Sequence, residues 1–496
     1  MRVSLVVHVI GVIVRVFGLM LLAPAAVALG YGEYRDAIGF AVSAVATCVT
    51  GQVMRYAGGV AAEQAVERMR RVEGLAIVSG SWLMIAAFAA VPYMWAGLGP
   101  IDAMFESMSG LTTTGATVFR DFSAFGQGVF FWRSLTQWLG GMGVIALFVA
   151  ILPRLAIGGR EIFFAEASGH DDEKVTPQIR QTAAVLWRLY AALTVAQTVA
   201  LRVTGMSWFD SVNHAFTTLA AGGFSPHPSS LAGYQNPAAE WVIIVFMALA
   251  GANFALQYRA LLRRDARLLT GDEELRAYVG VVAAATLLLL ITLQQSLLSE
   301  PAVRTALFQV LSIITTTGFA SVDFNLWNDQ AKAVLLGLMF IGGCAGSAAG
   351  GPKVVRHVLL AKFTLHELRR TLHPRAVLPV KLGGRVVPPQ VLQSVIVFFL
   401  FYMLTFAVCT AIVVLFGAEL VTGISATAAC LGNVGPGFNS VGPMGHFGDL
   451  HPVSRIALTL AMWIGRLEVI TVLVILRPEA WRSGRWSAGD PGPSRA

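Results

Sequence analysis

Four short glycine-centred stretches hold the residues of this chain best suited to chemistry. They read Thr112-Thr113-Thr114-Gly115-Ala116-Thr117, Ala220-Ala221-Gly222-Gly223-Phe224, Thr315-Thr316-Thr317-Gly318-Phe319 and Gly432-Asn433-Val434-Gly435-Pro436. Glycine admits φ > 0, which helps turn successive carbonyls toward one axis. A ring of carbonyl oxygens can replace the hydration shell of K⁺. The candidate ion-binding set is Thr113, Thr114, Gly115, Ala220, Ala221, Gly222, Thr316, Thr317, Gly318, Asn433, Val434 and Gly435. Within it K⁺ is expected at Thr114, Gly115, Ala221, Gly222, Thr317, Gly318, Val434 and Gly435, with Gly115, Gly222, Gly318 and Gly435 in equivalent places. One Thr-Gly stretch would be an ordinary turn. Four at matching positions between paired apolar runs point to one ion pathway with four related walls.

Two further features are polar where the chain is otherwise apolar. Residues 342–351 carry five glycines, each weakening a helix by about 1 kcal/mol relative to alanine. The expected result is a broken helix whose irregular middle plugs the pathway below the filter, with Gly343, Gly346, Ser347, Gly350 and Lys353 as gate residues. Close packing of small residues is the alternative, and a nucleotide loop is disfavoured because no strand precedes the glycines. Arg466 lies inside an apolar run, where an arginine costs at least about 2.5 kcal/mol. It reads as a fixed positive charge that gates cations; structural pairing with a carboxylate or carbonyl is the alternative. Glu468, two residues on, does not share its helix face. Lys353 and Arg356 read equally as gate residues or as positive-inside anchors, and a Lys353–Glu468 pair stays open. Asn253 either lines the inner cavity or bonds a neighbouring helix.

The elements that must position these residues are membrane helices. Of 496 residues, 56% are hydrophobic and 13% charged, with mean hydropathy +0.67, against about 25% charged in soluble domains. Apolar runs of about 20 residues span a bilayer. Such runs fall at 4–30, 36–56, 73–97, 129–153, 180–204, 239–262, 273–298, 331–360, 390–416 and 453–476. Short half-helices precede the four loops, near 101–110, 210–219, 305–314 and 422–431. The expected fold is an all-α polytopic membrane protein: two leading transmembrane helices, then four helix–half-helix–helix units. Its divisions are 1–72, repeats at 73–179, 180–272, 273–388 and 389–486, and a disordered tail at 487–496. Asp102, Thr305 and Thr422 lie thirteen residues before their loop glycines and Asp210 twelve before Gly222; all are expected N-caps. Each half-helix then points its negative dipole end at the pathway.

The net charge of +8 is spread over short loops, the pattern of cytoplasmic loops rather than of nucleic-acid binding. It places both termini in the cytoplasm and the filters outward. The cysteines Cys48, Cys344, Cys409 and Cys430 form no CxxC pair, which supports neither a disulfide framework nor a zinc site. The N-terminal run is expected to be a retained helix, not a signal peptide. An intramembrane hydrolase would need a constellation of nucleophile and base or metal ligands. No HExxH or GxSxG occurs, so the chain is not expected to be an enzyme. Loops entering from one side disfavour an inverted-repeat transporter.

The sequence resembles the Trk/Ktr/HKT superfamily of cation transporters, specifically its bacterial TrkH-type branch, over nearly the whole chain. The resemblance rests on 112–117, Gln137-Trp138-Leu139-Gly140-Gly141-Met142-Gly143, Ala150-Ile151-Leu152-Pro153, His214-Ala215-Phe216 through Gly222-Gly223-Phe224-Ser225, Gly342-Gly343-Cys344-Ala345-Gly346-Ser347 and Gly465-Arg466-Leu467-Glu468. It implies four K⁺-channel-like repeats around a pseudo-fourfold pore and K⁺ uptake across the bacterial cytoplasmic membrane. It also implies an intramembrane gate, a homodimer with one pore per protomer, and a cytosolic nucleotide-binding (NAD/ATP-type) regulatory subunit. K⁺ is the transported ion, and no cofactor belongs to this chain. A Na⁺-permeable or H⁺/Na⁺-coupled transporter of the same fold is the alternative; related plant proteins that favour Na⁺ carry serine where this chain has Gly115. Ala220-Ala221 departs from the branch, which usually has a hydroxyl residue before glycine. So do Ser347-Ala348-Ala349-Gly350-Gly351, which lacks a second hydroxyl, and Pro352 just before Lys353.

Overall fold

The computed structural model describes residues 1–59, 71–155, 175–295, 299–374, 379–468 and 472. The expected tail at 487–496 lies outside them. Helices dominate. Three lead the chain: α1 (Val3–Met20), α2 (Leu22–Gly30) and α3 (Tyr34–Gly58). Gly11 and Gly51 let α1 and α3 touch: a Cβ on either would come within 2.7 Å of the other's carbonyl oxygen. Small residues permit such close backbone approach in membranes.

The first unit is α4 (Arg71–Trp95), the short α5 (Pro100–Leu111) and α6 (Gln127–Leu155). The second is α7 (Val175–Val203), α8 (Trp208–Leu219), then α9 (Pro237–Gly251) and α10 (Phe254–Arg263), followed by the single turn α11 (Arg267–Gly271). The third is α12 (Glu273–Thr292), α13 (Glu300–Ile314), α14 (Asp329–Met339) and α15 (Val354–Leu372). A two-stranded antiparallel hairpin, β1 (Lys381–Leu382) with β2 (Arg385–Val386), leads to α16 (Pro389–Leu415), α17 (Leu420–Leu431) and α18 (Pro452–Leu467). The leading helices pack on the first unit, where Phe17 and Phe40 both meet the Trp132 ring. The Glu33 carboxylate accepts from the free N–H groups of Gln127 and Gly128 at the start of α6, at 2.6 and 2.9 Å.

Among the described residues six stretches are long and apolar enough to cross a membrane, and a seventh if α9 and α10 count as one span. Ten runs were expected. Two of the remaining expected runs are not simple rods. α9 and α10 are bent by 100°, and α14 and α15 are separated by residues 340–353.

The expected N-caps are corrected. The short helices are capped by Gly99, Ser207, Ser299 and Glu419. Asp102, Asp210 and Thr422 sit in the first turn and Thr305 further in. The helices start earlier because Pro100 and Pro301 suit first-turn positions and because Ser207 caps Asp210. The Ser207 hydroxyl accepts from Asp210 N at 3.0 Å and bonds its carboxylate at 2.6 Å. The first-turn acids still face the positive helix end, and Asp102 pairs with Arg455.

Candidate ion pathway

Each short helix ends with a residue in left-handed backbone, two positions before a glycine also at positive φ. The pairs are Thr113 and Gly115, Ala221 and Gly223, Thr316 and Gly318, Asn433 and Gly435. The first of each pair occupies the position where glycine commonly closes a helix. Thr114 N reaches back to Ser109 O at 2.8 Å, Gly222 N to Thr217 O at 2.8 Å, and Val434 N to Ala429 O at 2.7 Å. Such closure bonds hold non-glycine residues in a conformation costing about 1–3 kcal/mol.

The glycines then fit against one another's loops. A Cβ on Gly115 would strike the Gly222 carbonyl oxygen, one on Gly223 that of Thr317, one on Gly318 that of Val434, and one on Gly435 would come within 2.7 Å of the Thr114 oxygen. Each loop abuts the next in chain order and the fourth returns to the first. One pocket is lined by all four of these glycines together with Arg133, Phe224 and Phe447.

This geometry corrects the register of the second wall. Gly223, not Gly222, is equivalent to Gly115, Gly318 and Gly435. The adjacent glycines made both positions plausible in the sequence; backbone φ and the neighbouring carbonyl select the second. Asp210 then also lies thirteen residues before its glycine. Ala221 corresponds to Thr113, and Gly222 to Thr114. Two filter-position threonine hydroxyls are engaged: Thr114 Oγ1 with Thr112 Oγ1 at 2.7 Å and, across to wall four, with Asn433 Nδ2 at 3.0 Å, and Thr317 Oγ1 with Thr315 Oγ1 at 2.8 Å.

Behind the loops stand braces that the sequence reading missed. Nine residues before each glycine come Glu106, His214, Gln309 and Ala426. Glu106 is fully buried and accepts from Val118 N at 2.9 Å and from the Thr117 hydroxyl at 3.1 Å. It is ion-paired with Arg133 at 2.8 Å. Arg133 continues to Ser225 O at 3.2 Å and lies 4.0 Å over the Phe224 ring, so it ties wall one to wall two. His214 Nδ1 donates to Asp210 O at 2.8 Å, and its Nε2 meets the Ser225 hydroxyl at 3.2 Å. Gln309 Nε2 donates to Ser321 Oγ at 3.2 Å. Wall four has alanine there, and the adjacent Ser425 accepts from Phe438 N at 2.9 Å instead. The constant spacing was the available signal; the changing residue type concealed it. Gln137 also binds wall two, donating to Gly222 O at 2.7 Å and accepting from Phe224 N at 3.1 Å.

Residues 340–353 form the interruption between α14 and α15, with Gly342, Gly346, Gly351 and Lys353 at positive φ. Gly343 O accepts from Val354 N at 3.0 Å, and the Ser347 hydroxyl donates to Cys344 O at 2.6 Å. Gly350 N donates to Thr316 Oγ1 at 2.6 Å, so the loop touches the base of wall three. Buried Arg466 donates to Ala348 O at 3.0 Å and stands 3.5 Å from Gly140 O. Lys353, also buried, donates to Ala349 O. Glu468 pairs with Arg356 at 2.7 Å, so the possible Lys353–Glu468 pair is not formed; Lys353 turns back onto its own loop. Asn253 caps its own helix, its side chain accepting from Leu256 N at 3.0 Å.

The family model described as "TrkH: Cation transport protein" matches residues 61–483. The chain belongs to that family. It is 37% identical over 490 residues to the "Trk system potassium uptake protein TrkH" of Vibrio parahaemolyticus, covering 96% of this chain and 99% of the relative. The Escherichia coli K12 protein of the same name is 36% identical over 484 residues, covering 96% and 98%. The E. coli "Trk system potassium uptake protein TrkG" is 33% identical, covering 97% and 99%. The crystal structure titled "Potassium Transporter TrkH from Vibrio parahaemolyticus" superposes with TM-score 0.87 at 35% identity, covering 97% of this chain and all of that one. The chain is therefore a multi-pass membrane transporter and not an enzyme.

Proposed function

We propose that the chain carries K⁺ into the bacterial cell across the cytoplasmic membrane, through a filter formed where its four loops meet. The observation carrying this reading is the closed ring in which each positive-φ glycine faces the next loop's carbonyl oxygen. The carbonyls concerned are those of Thr114, Gly222, Thr317 and Val434, at the negative ends of four short helices, a setting that favours a cation. The relatives' names, which specify potassium uptake, support the choice of ion.

Below the filter the 340–353 loop acts as the gate and Arg466 as its lock. A guanidinium has donors for carbonyls without helical partners, and a unit charge ~4 Å from a passing ion raises its energy by about 4 kcal/mol at an effective dielectric near 20. The four units at 73–179, 180–272, 273–388 and 389–486 are the repeats of this pore. The filters face outward and both termini lie in the cytoplasm. The chain pairs with a second copy and takes orders from a cytosolic nucleotide-binding subunit, in keeping with the word "system" in the relatives' names.

The test is competitive K⁺/Na⁺ flux into liposomes, normalised to folded protein. Gly115→Ser is expected to lower K⁺ preference, since any side chain there meets both a positive φ and the Gly222 oxygen. Unchanged selectivity would remove Gly115 from the filter. Arg466→Ala is expected to raise flux without a regulatory subunit; lower flux per folded molecule would make the arginine structural. A cysteine at Ser229 should react with an impermeant reagent from outside and one at Thr270 should not, and the reverse pattern would invert the topology.

A further inference from the structure

At the 100° bend, α9 ends on Gly251 and α10 begins at Phe254. A helix end leaves its last carbonyls and first N–H groups without intrahelical partners, and inside a membrane protein those groups need bonds from elsewhere. Here three of them are met from one place, the 340–353 loop. Cys344 N donates to Gly251 O at 2.8 Å, Ala348 N to Ala250 O at 3.2 Å, and Phe254 N to Gly346 O at 3.1 Å. Two broken helices from adjacent units thus satisfy each other's backbone. Two side chains hold the bend open. Asn253 Oδ1 caps α10 at Leu256 N, and Gln257 Nε2 donates to Leu249 O at 2.8 Å and to Ala252 O at 3.2 Å.

We propose that the bend at 251–253 is the seat of the Gly-rich loop, and that Asn253 and Gln257 are the positioning residues that keep the seat formed. This rests on reading the loop as a gate. If the bend straightens, α9 and α10 recover helical bonds of their own through Ala250 O, Gly251 O and Phe254 N. The loop then loses three docking bonds while its partners stay satisfied. Straight and bent states are two discrete packings rather than a continuum, the usual basis of a switch. α10 runs from the seat to Arg263, with Leu261 and Leu262 exposed, so movement at its far end is transmitted to the gate.

The test uses full-length protein in liposomes with Cys48, Cys409 and Cys430 replaced by alanine. Buried Cys344 (1% exposed) is then the reporter. Two rates are read: K⁺ flux per folded protein, and modification of Cys344 by a small thiol reagent. Asn253→Ala and Gln257→Leu should each raise both rates roughly fivefold, the population shift matching loss of one helix cap. Asn253→Asp, which keeps the capping oxygen, should restore both toward the parent. Arg466→Ala tests the gate itself. If it raises flux while Asn253→Ala and Gln257→Leu change neither rate, the seat is wrong and the gate stands. If it does not raise flux, the gate reading fails, and Cys344 reactivity alone decides the seat, unchanged reactivity overturning it. Should the cap variants not fold, Ala252→Cys bridged to Cys344 by a short bis-methanethiosulfonate, which joins both thiols through disulfides, replaces them. Bridging should stop flux until reduced. Flux that persists in bridged protein, or two reactive thiols that do not bridge, would overturn the proposal.

Discussion

The ring of four loops and the Gly-rich loop below it are both irregular backbone inside a membrane protein, but they are held by different means. Three of the four loops of the ring are fixed from behind by polar side chains nine residues upstream, among them the buried Glu106–Arg133 ion pair. The Gly-rich loop is held by three backbone bonds to a second broken helix, by single bonds to the Arg466, Glu274 and Thr316 side chains, and by its own Lys353. A buried side-chain network is high-stakes and rigid. Backbone bonds that either partner can exchange for its own helical ones are easier to release. The lower loop is thus suited to move and the upper ring to stay.

The largest expected effect breaks the rigid half. Glu106→Ala leaves Arg133 charged, buried and unpaired, and should cost roughly 3–5 kcal/mol, seen as a large fall in thermal unfolding temperature in detergent. A loss under about 1 kcal/mol would mean that the pair behaves like a surface one and that wall one is held by its backbone, as the lower loop is.

Next in size is Gly223→Ala, which meets a positive φ and the Thr317 oxygen together. It should destabilise by more than about 1 kcal/mol and lower ion selectivity. Gly337→Ala is the control. Gly337 lies in α14 with nothing within 4 Å of an added Cβ, and alanine there should stabilise by up to about 1 kcal/mol. Equal effects would undo the register given to wall two.

The two regions touch through Thr316, whose hydroxyl accepts from Gly350 N. Thr316→Val keeps the shape and strands that N–H, at about 1–3 kcal/mol. If the loop is the releasable part, the variant should raise basal flux and leave unfolding temperature little changed. A fall in selectivity with no rise in flux would place the contact in the filter's support instead.

The sequence showed much of this and missed the rest for identifiable reasons. Gly115, Gly318 and Gly435 were legible because glycine carries a backbone requirement wherever it stands. The break at 342–351 and Arg466 were legible because several glycines or a guanidinium are costly in a membrane helix. Wall two was misplaced by one residue because Gly222 and Gly223 satisfy the same pattern. The braces were hidden because Glu106, His214 and Gln309 share a position without sharing chemistry. The bend at 251–253 was hidden because Gly251-Ala252 sits in an apolar run and its partner lies about a hundred residues away. Asn253 stands out as polar in that run, but a cap, a cavity lining and an interhelical bond call for the same residue.

The smallest expected effect lies at the seam where the ring closes between its last and first walls. Phe447 N donates to Thr117 O at 2.8 Å, while Arg120 bonds Gly448 O and pairs with Asp449 at 2.9 Å. The hydrogen bond from Arg120 holds the Asp449 carboxyl below its ordinary range. A depressed carboxyl contributes stability that is present above its unfolded pKa of ~3.9 and fades as pH falls through the lower folded value. Both side chains are more than half exposed, so solvent screens most of the gain and the pair should be worth well under about 1 kcal/mol. Asp449→Asn should therefore shift unfolding only slightly near pH 7, and by less still as salt rises. The backbone bond from Phe447 and the burial of its ring remain in that variant. If Asp449→Asn instead lowered selectivity as much as Gly223→Ala, the charge at the seam would be setting the geometry of the ring, and its rigidity could no longer be assigned to the buried braces alone.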